Sequence, residues 1–232
     1  MAATSSRPGA LLGVGAESAE RPAPRSARSR VKSRLAWLCL LAAAALVVLS
    51  YYAPWWTFAL YAPQYPHGLK LEVWLSRVSG DVHEINMLNH YIGMASLTRA
   101  APLERALAGY AVPGLAAALV LAFVALRGRA RWLALGFASL LPLGFLLDSF
   151  YWLRRFGHDL DPRAPIELPP FTPQLFGNGQ IGQFLTFARP MAGFWMGVLA
   201  AALVAVALWL SEQDRRGVRS PVAGAGRSER AG

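Results

Sequence analysis

Four apolar stretches alternate with polar segments along the chain, at residues 35–53, 103–126, 132–153 and 189–210. Each holds about 20 residues, which is enough for a helix to cross a hydrocarbon core of ~30 Å. The pattern therefore predicts an all-α membrane protein with four transmembrane helices within residues 34–211. Two long polar segments, 54–104 and 154–188, are predicted to be structured loops on one side of the membrane.

The two ends of the chain differ in character from the apolar stretches. Residues 1–33 are rich in Ala, Ser, Arg, Gly and Pro, and residues 212–232 are similarly polar and basic. Such a composition cannot bury a hydrophobic core, so both ends are predicted to be disordered basic tails. No small-residue cleavage site follows the first apolar stretch, which favours an uncleaved membrane anchor over a signal peptide.

The distribution of charge predicts the orientation. Of 23 Lys and Arg residues, 15 lie in the two tails and in the short RGRAR connection after the second apolar stretch, and 8 lie on the side of the two loops. The formal net charge of +10 is thus confined to the tail side. Positive charge concentrates on the cytoplasmic side of membrane proteins, so both termini are predicted to be cytoplasmic. Anionic lipid explains this charge, and no nucleic-acid partner is expected.

Polar and apolar residues alternate within the first loop in a way that predicts a short β-ribbon followed by a helix. Leu69, Leu71 and Val73 alternate with charged or aromatic residues, as in a strand. Turn residues follow at 76–80, and a helix is predicted over 82–94. The second loop contains many Pro and Gly residues and is predicted to consist of turns.

The helix at 82–94 contains the strongest candidate chemistry, in the sequence GDVHEINMLNHYIGM. His83, Met87, His90 and Met94 are spaced i, i+4, i+7 and i+11, which places them on one helical face. Imidazole and thioether are suitable ligands for Cu(I), so these four residues are predicted to bind copper, with His158 contributing from the second loop. The alternative is an ordinary helix at the membrane surface.

Several acidic and amide residues are further candidates for a polar site. Asp81 and Glu84 have the spacing of a capping box at the start of the helix. Asp148 is an ionisable residue within the third apolar stretch, which indicates either a functional site or an ion pair with Arg154, Arg155 or Arg189. The remaining candidates are Asn86, Asn89, Asp159 and Asp161.

Other classes of site lack their required residues. Cys39 is the single cysteine, which rules out an intramolecular disulfide and a cysteine-based metal site. The four apolar stretches contain no histidine, so a haem held between helices is not expected. No HExxH motif or Ser/His/Asp order indicates a hydrolase, and a catalytic function is not expected.

Five short segments together resemble a known family: QYPHGLKLEVW, GDVHEINMLNHYIGM, GHDLDPRAPI, PFTP and GNGQI. The chain is similar, over about residues 50–190, to small four-span bacterial membrane proteins that contain the NHYIGM stretch. These proteins are associated with gene clusters for periplasmic copper respiratory enzymes such as atypical nitrous-oxide reductase. The resemblance implies an accessory role in supplying, assembling or anchoring such a metalloenzyme in the bacterial inner membrane.

Two other functions are compatible with the same residues. One is a membrane anchor or electron-transfer subunit that binds a quinol, with His90, His158 and Asp148 taking protons beside Trp152 and Phe156. The other is a non-catalytic scaffold whose loops dock a partner protein.

Overall fold

The computed structural model describes residues 27–182 and 184–219. The elements are α1 (Ala27–Ser50), β1 (Trp56–Ala62), β2 (Tyr65–Val73), β3 (Val78–Gly80), α2 (Val82–Tyr91), a 3-10 turn (Leu97–Arg99), α3 (Pro102–Ala125), α4 (Arg129–Ala138), α5 (Leu141–His158), β4 (Gly177–Ile181), β5 (Phe184–Pro190) and α6 (Ala192–Arg219). Residues 27–33 of the predicted N-terminal tail are helical, and α6 extends beyond residue 211. The rest of the predicted tails lies outside the described residues.

A five-stranded antiparallel sheet shows that the predicted all-α fold is wrong. Its strand order is β3-β2-β1-β5-β4. The central strand β1 pairs with β2, where Phe58 is opposite Leu71, and with β5, where Phe58 is opposite Ala188. Strands from both predicted loops therefore belong to one sheet. We call residues 51–101 and 159–191 together the sheet domain.

The helices agree with the predicted spans except at the third. α1, α3 and α6 are long and apolar enough to cross a membrane. The third predicted span is instead two helices, α4 and α5, bent by 43° at a short break. Pro142 near the start of α5 lacks the N–H that a continuous helix would need there, which is consistent with a break at this point.

The connections place the sheet domain at one end of the helices. α1 leads into β1, α6 follows β5, α3 starts after the 3-10 turn, and α5 ends before the long segment that leads to β4. α3 has 24 residues and is about 36 Å long, so α4 begins at the far end and α5 returns to the sheet domain. Three helices of the described residues are thus long and apolar enough to cross a membrane, and the bent pair of α4 and α5 is either a broken span or a re-entrant loop.

Two tryptophans join the sheet domain to the helices. Trp55 and Trp56 are fully buried and pack with Phe145 of α5 and Phe194 of α6. Both indole N–H groups donate hydrogen bonds to backbone carbonyls, Trp55 to Ser50 (2.9 Å) and Trp56 to Leu175 (2.9 Å). Buried indole N–H groups need such acceptors. The two bonds therefore fix the sheet relative to α1 and to residues 159–191, which include Leu175.

The segment after α5 is held against the end of α2 by main-chain contacts. Asp161 N donates to Gly93 O (2.8 Å), and Ile166 N donates to Tyr91 O (3.0 Å). Gly93 has a φ of 75°, and a Cβ atom there would lie 2.7 Å from the Asp161 carbonyl oxygen. Only glycine fits this backbone conformation and close approach without strain. The two halves of the sheet domain are therefore joined outside the sheet as well.

Candidate functional site

A cavity of about 530 Å³ lies between the sheet, α2, α3 and α5. This volume is within the range of sites that bind small molecules. Apolar and aromatic side chains form most of its walls. They include Phe58, Leu60, Leu71 and Val73 from the sheet, Ile85, Leu88 and Ile92 from α2, Leu107 and Ala111 from α3, and Phe145, Trp152 and Phe156 from α5.

Helices α3 and α5, which both line the cavity, make little contact with each other. Leu107 on α3 and Gly144 on α5 both line the cavity and are exposed. A Cβ atom at Gly144 would meet no heavy atom within 4 Å. Two residues that line the cavity are thus also part of the exposed surface of α3 and α5.

Asn89 is the buried polar residue of the cavity wall. Its side chain is 4% exposed, and its Nδ2 group finds no hydrogen-bond partner among the described residues. A buried amide without a partner is unfavourable by about 1–3 kcal/mol, so folded proteins rarely retain one without a reason. Its position in the helix places Asn89 on the face of α2 that also carries Ile85 and Ile92.

Asp148 and Trp152 are one helical turn apart on α5, and both line the cavity. The Trp152 Nε1–H is near the Asp148 carboxyl group but does not form a hydrogen bond with it in good geometry. Arg155 lies over the Trp152 ring and donates to Tyr151 Oη (3.2 Å). The predicted ion pair of Asp148 with Arg154, Arg155 or Arg189 is not found among the described residues; Glu104 and Trp152 are the side chains that act on its carboxyl group.

The cationic residues of the cavity are committed to other contacts. Arg105 donates to the backbone carbonyls of Ser76, Thr98 and Ala100. The Arg77 guanidinium stacks on the Trp74 ring at 3.9 Å, and its side chain is exposed. Glu104 also lines the cavity and is exposed. The charged side chains other than Asp148 thus lie mainly towards the solvent side of the cavity.

The predicted copper-binding face is divided in the structure. His83, Met87 and His90 share an exposed face of α2, as predicted. Helix α2 ends at Tyr91, however, and the positive φ of Gly93 redirects the chain, so Met94 lines the cavity instead. Within the described part of the chain, no three His, Cys, Asp or Glu side chains are grouped to hold a metal ion.

The predicted capping box is absent. Asp81 occupies the N-cap position, but its side chain caps no helix N–H and instead accepts a hydrogen bond from Lys70 N (2.7 Å). Glu84 lies in the first helical turn without a capping bond to Asp81. Asn86 Oδ1 accepts from Leu97 N (2.9 Å). These contacts connect α2 to β2 and to the 3-10 turn, so they position the helix.

The candidate residues of the second loop lie apart from the cavity lining. His158 is exposed at the end of α5, with Nδ1 2.9 Å from Arg154 O. Asp159 is the C-cap residue of α5, and Asp161 Oδ1 accepts from Arg163 N (2.9 Å). Their contacts organise the turn that follows α5.

Comparison with known proteins adds no assignment. No protein-family model matches the chain, and no curated protein matches it. The resemblance to NHYIGM-containing proteins stays a prediction.

Sequence reasoning named Asp148, Asn89 and Trp152 but did not group them into one site. The signal that was available is the position of Asn89 in the helical pattern. Asn89 is four residues after Ile85 and three before Ile92, so it belongs to the apolar face of α2. A polar residue on an apolar face indicates a buried amide.

Proposed function

We propose that the protein binds a lipid-like molecule, with an apolar chain and a small polar head, in the cavity between the sheet domain and the helices. The single observation that carries this proposal is the cavity itself, with its apolar walls, its exposed lining residues on α3 and α5, and its few polar groups. A quinol is one molecule of this class.

The charge distribution supports a particular orientation of the cavity in the membrane. The tails carry the positive charge, so we place them in the cytoplasm and the sheet domain on the periplasmic side of a bacterial inner membrane. The cavity then lies at the outer surface of the bilayer. A molecule could pass from the outer leaflet into it without crossing water.

The quinol-binding alternative keeps three of its five predicted residues in the cavity and loses the two histidines. His90 and His158 are exposed and do not line the cavity, whereas Asp148, Trp152 and Phe156 do. Asp148 is consequently the ionisable group from that set that can contact a bound head group.

The experiment is extraction of the purified protein with organic solvent and mass spectrometry of the co-purified small molecules. Wild type is compared with Gly144→Phe, which places a bulky side chain at an exposed position of the cavity lining, and with Gly136→Phe. Gly136 on α4 is an equally open glycine that does not line the cavity. We expect one lipid-like species to be enriched in the wild type and in Gly136→Phe and lost from Gly144→Phe. Equal contents in all three proteins would contradict the proposal.

A second candidate function is copper handling for a periplasmic metalloenzyme, and the exposed face of His83, Met87 and His90 favours it. His83 and His90 are separated by seven residues, or about 10 Å along the helix axis, which is too far for both to bind one ion. Each ion would instead be bound by Met87 with either His83 or His90. Two ligands from one helix leave coordination positions open, which suits transfer of Cu(I) to a partner.

Competition with a Cu(I) chelator tests this second function. The Met87→Leu variant removes the ligand that both pairs share, so we expect it to lose Cu(I) binding, whereas His83→Ala and His90→Ala should each retain part. His67→Ala is the matched control, because His67 is an exposed histidine on β2. Unchanged Cu(I) affinity in Met87→Leu would exclude this site.

A further inference from the structure

Charged side chains of the cavity lining are concentrated at one exposed edge. Arg77 follows β2, and Glu104 and Arg105 lie in the first turns of α3; we call these three residues the mouth of the cavity. Arg105 connects the two places, because its Nε–H donates to Ser76 O (3.5 Å). Arg77 and Glu104 are the sequence neighbours of Ser76 and Arg105, and both are exposed. A positive and a negative side chain thus border the same edge of a mostly apolar cavity.

Arg77 is oriented to bind a phosphate group. Its guanidinium stacks on the Trp74 ring at 3.9 Å, and the Trp74 Nε1–H donates to Ser79 Oγ (2.9 Å), which fixes the ring. Stacking uses the flat face of a guanidinium and leaves the N–H donors that lie in its plane. Within the described part of the chain, no group accepts a hydrogen bond from Arg77. A planar guanidinium held in this way can bind a phosphate through two parallel hydrogen bonds.

Two carboxylates beside the mouth provide a place for a cation. Glu104 on α3 acts electrostatically on the Asp148 carboxyl group on α5, and both residues line the cavity. Like charges at close range are unfavourable, and a cation that contacts both relieves the repulsion. Arg105 donates instead to the backbone carbonyls of Ser76, Thr98 and Ala100. An ammonium group of a bound molecule would meet this demand.

We infer that the cavity binds a zwitterionic phospholipid of the phosphoethanolamine type, with an acyl chain between the sheet and the helices and the head group at the mouth. This inference rests on the proposed function and specifies its ligand. Arg77 binds the phosphate, and Glu104 and Asp148 bind the ammonium group. An uncharged lipid would match neither charge of the mouth, and an anionic lipid would match only Arg77. Such complementarity of charge gives selectivity among lipids that share the same chain.

Four probes separate the contributions of chain, phosphate and ammonium group. Three have one palmitoyl chain: lysophosphatidylethanolamine, lysophosphatidylglycerol, which lacks the ammonium group, and monopalmitoylglycerol, which lacks both charges. The fourth, glycerophosphoethanolamine, has the head group without the chain. Each is titrated against the full chain purified in an uncharged detergent, and each Kd is divided by that of lysophosphatidylethanolamine. Partition of a probe into micelles is the same for every variant, so it cancels when these ratios are compared between variants.

Two variants each remove one charge of the mouth. In Arg77→Gln, we expect the Kd ratio of monopalmitoylglycerol to lysophosphatidylethanolamine to fall about fivefold, since an exposed charge-assisted contact contributes on that order. In Glu104→Gln, the ratio of lysophosphatidylglycerol to lysophosphatidylethanolamine should fall about threefold. The matched controls are Arg99→Gln and Glu167→Gln, because both residues are exposed and lie outside the cavity lining. Both ratios should be unchanged in the controls.

Four results would overturn the inference. If Arg77→Gln leaves its ratio unchanged while monopalmitoylglycerol binds tightly, the lipid-like proposal stands and the head-group assignment falls. If Glu104→Gln leaves its ratio unchanged, the ammonium contact falls, and with it the choice of a zwitterionic lipid. Glycerophosphoethanolamine that binds as tightly as lysophosphatidylethanolamine would make the ligand a free phosphate ester. Absence of binding by all three palmitoyl probes would remove the proposed function together with this inference.

Discussion

The two faces of helix α2 differ in what their polar residues contact. On the face towards the sheet, Asn89 is buried between Ile85 and Ile92 and has an unpartnered amide nitrogen. On the opposite face, His83 and His90 are exposed. Exposed polar groups are satisfied by water, whereas a buried one needs a protein group, a bound molecule or an internal water. The two faces of α2 therefore place very different demands on their polar residues.

The largest effect is expected from Ile85→Ala, which shortens an apolar side chain on the buried face. Ile85 is 7% exposed and packs with Leu69 and Leu71 of the sheet. Its truncation should lower the free energy of unfolding by about 3 kcal/mol. Denaturant unfolding in detergent, followed by tryptophan fluorescence, measures this. If Ile85→Ala and Met87→Ala lowered the free energy of unfolding equally, the buried and exposed faces of α2 would not differ in their contribution to stability.

A somewhat smaller loss is expected from Gly93→Ala, which affects both faces by displacing the end of α2. The positive φ and the nearby Asp161 carbonyl oxygen make any side chain there unfavourable, by about 2 kcal/mol. The same unfolding measurement applies. Gly128→Ala, which has a positive φ but no atom within 4 Å of its Cβ, separates the conformational cost from the steric one. Equal losses of unfolding free energy in both variants would show that the close approach of Gly93 to Asp161 contributes nothing to stability.

Asn89→Leu should raise the stability of the protein. Replacing an unpartnered buried amide by an apolar side chain of similar shape is expected to stabilise the ligand-free protein by about 1 kcal/mol. The comparison uses delipidated protein, so that no bound molecule contributes to the free energy of unfolding. A loss of stability in that state would mean that the Asn89 amide has a structural partner.

The smallest effect is expected from His83→Ala together with His90→Ala. Both side chains are exposed, so the free energy of unfolding should change by less than about 0.5 kcal/mol. If the protein handles copper, Cu(I) should raise the free energy of unfolding of the wild type but not that of this double variant. A large loss of stability without metal would assign the two histidines a structural role.

Local patterns predicted the local elements well. The alternation of Leu69, Leu71 and Val73 indicated a strand, which is β2, and the helical spacing after Asp81 indicated α2. The apolar stretches indicated α1, α3 and α6. In each case the spacing of apolar residues reflects which side of that one element is buried, and this spacing repeats every few residues along the chain.

The sheet and the cavity depend on pairing between distant segments, and no local pattern encodes it. β1 pairs with β5 although about half the chain separates them. Most of β5 was assigned to the second loop, which was predicted to consist of turns, and its last two residues to the start of the fourth span. The GNGQI segment was predicted to be a turn, yet it forms the edge strand β4. Glycine and asparagine disfavour strands locally, and pairing with β5 overrides that preference. The cavity walls could not be grouped without this pairing.

Photolabelling tests the central claim most directly, because it reports where a lipid-like molecule is held. The probe is decylbenzene that carries a diazirine in its chain, and the labelled peptides are mapped by mass spectrometry. We predict label on α2, on α5 near Trp152 and on β1, suppressed by excess unlabelled decylbenzene and absent in Gly144→Phe. Label confined to the exposed surfaces of α1, α3 and α6, and not suppressed by competitor, would contradict the existence of a binding cavity.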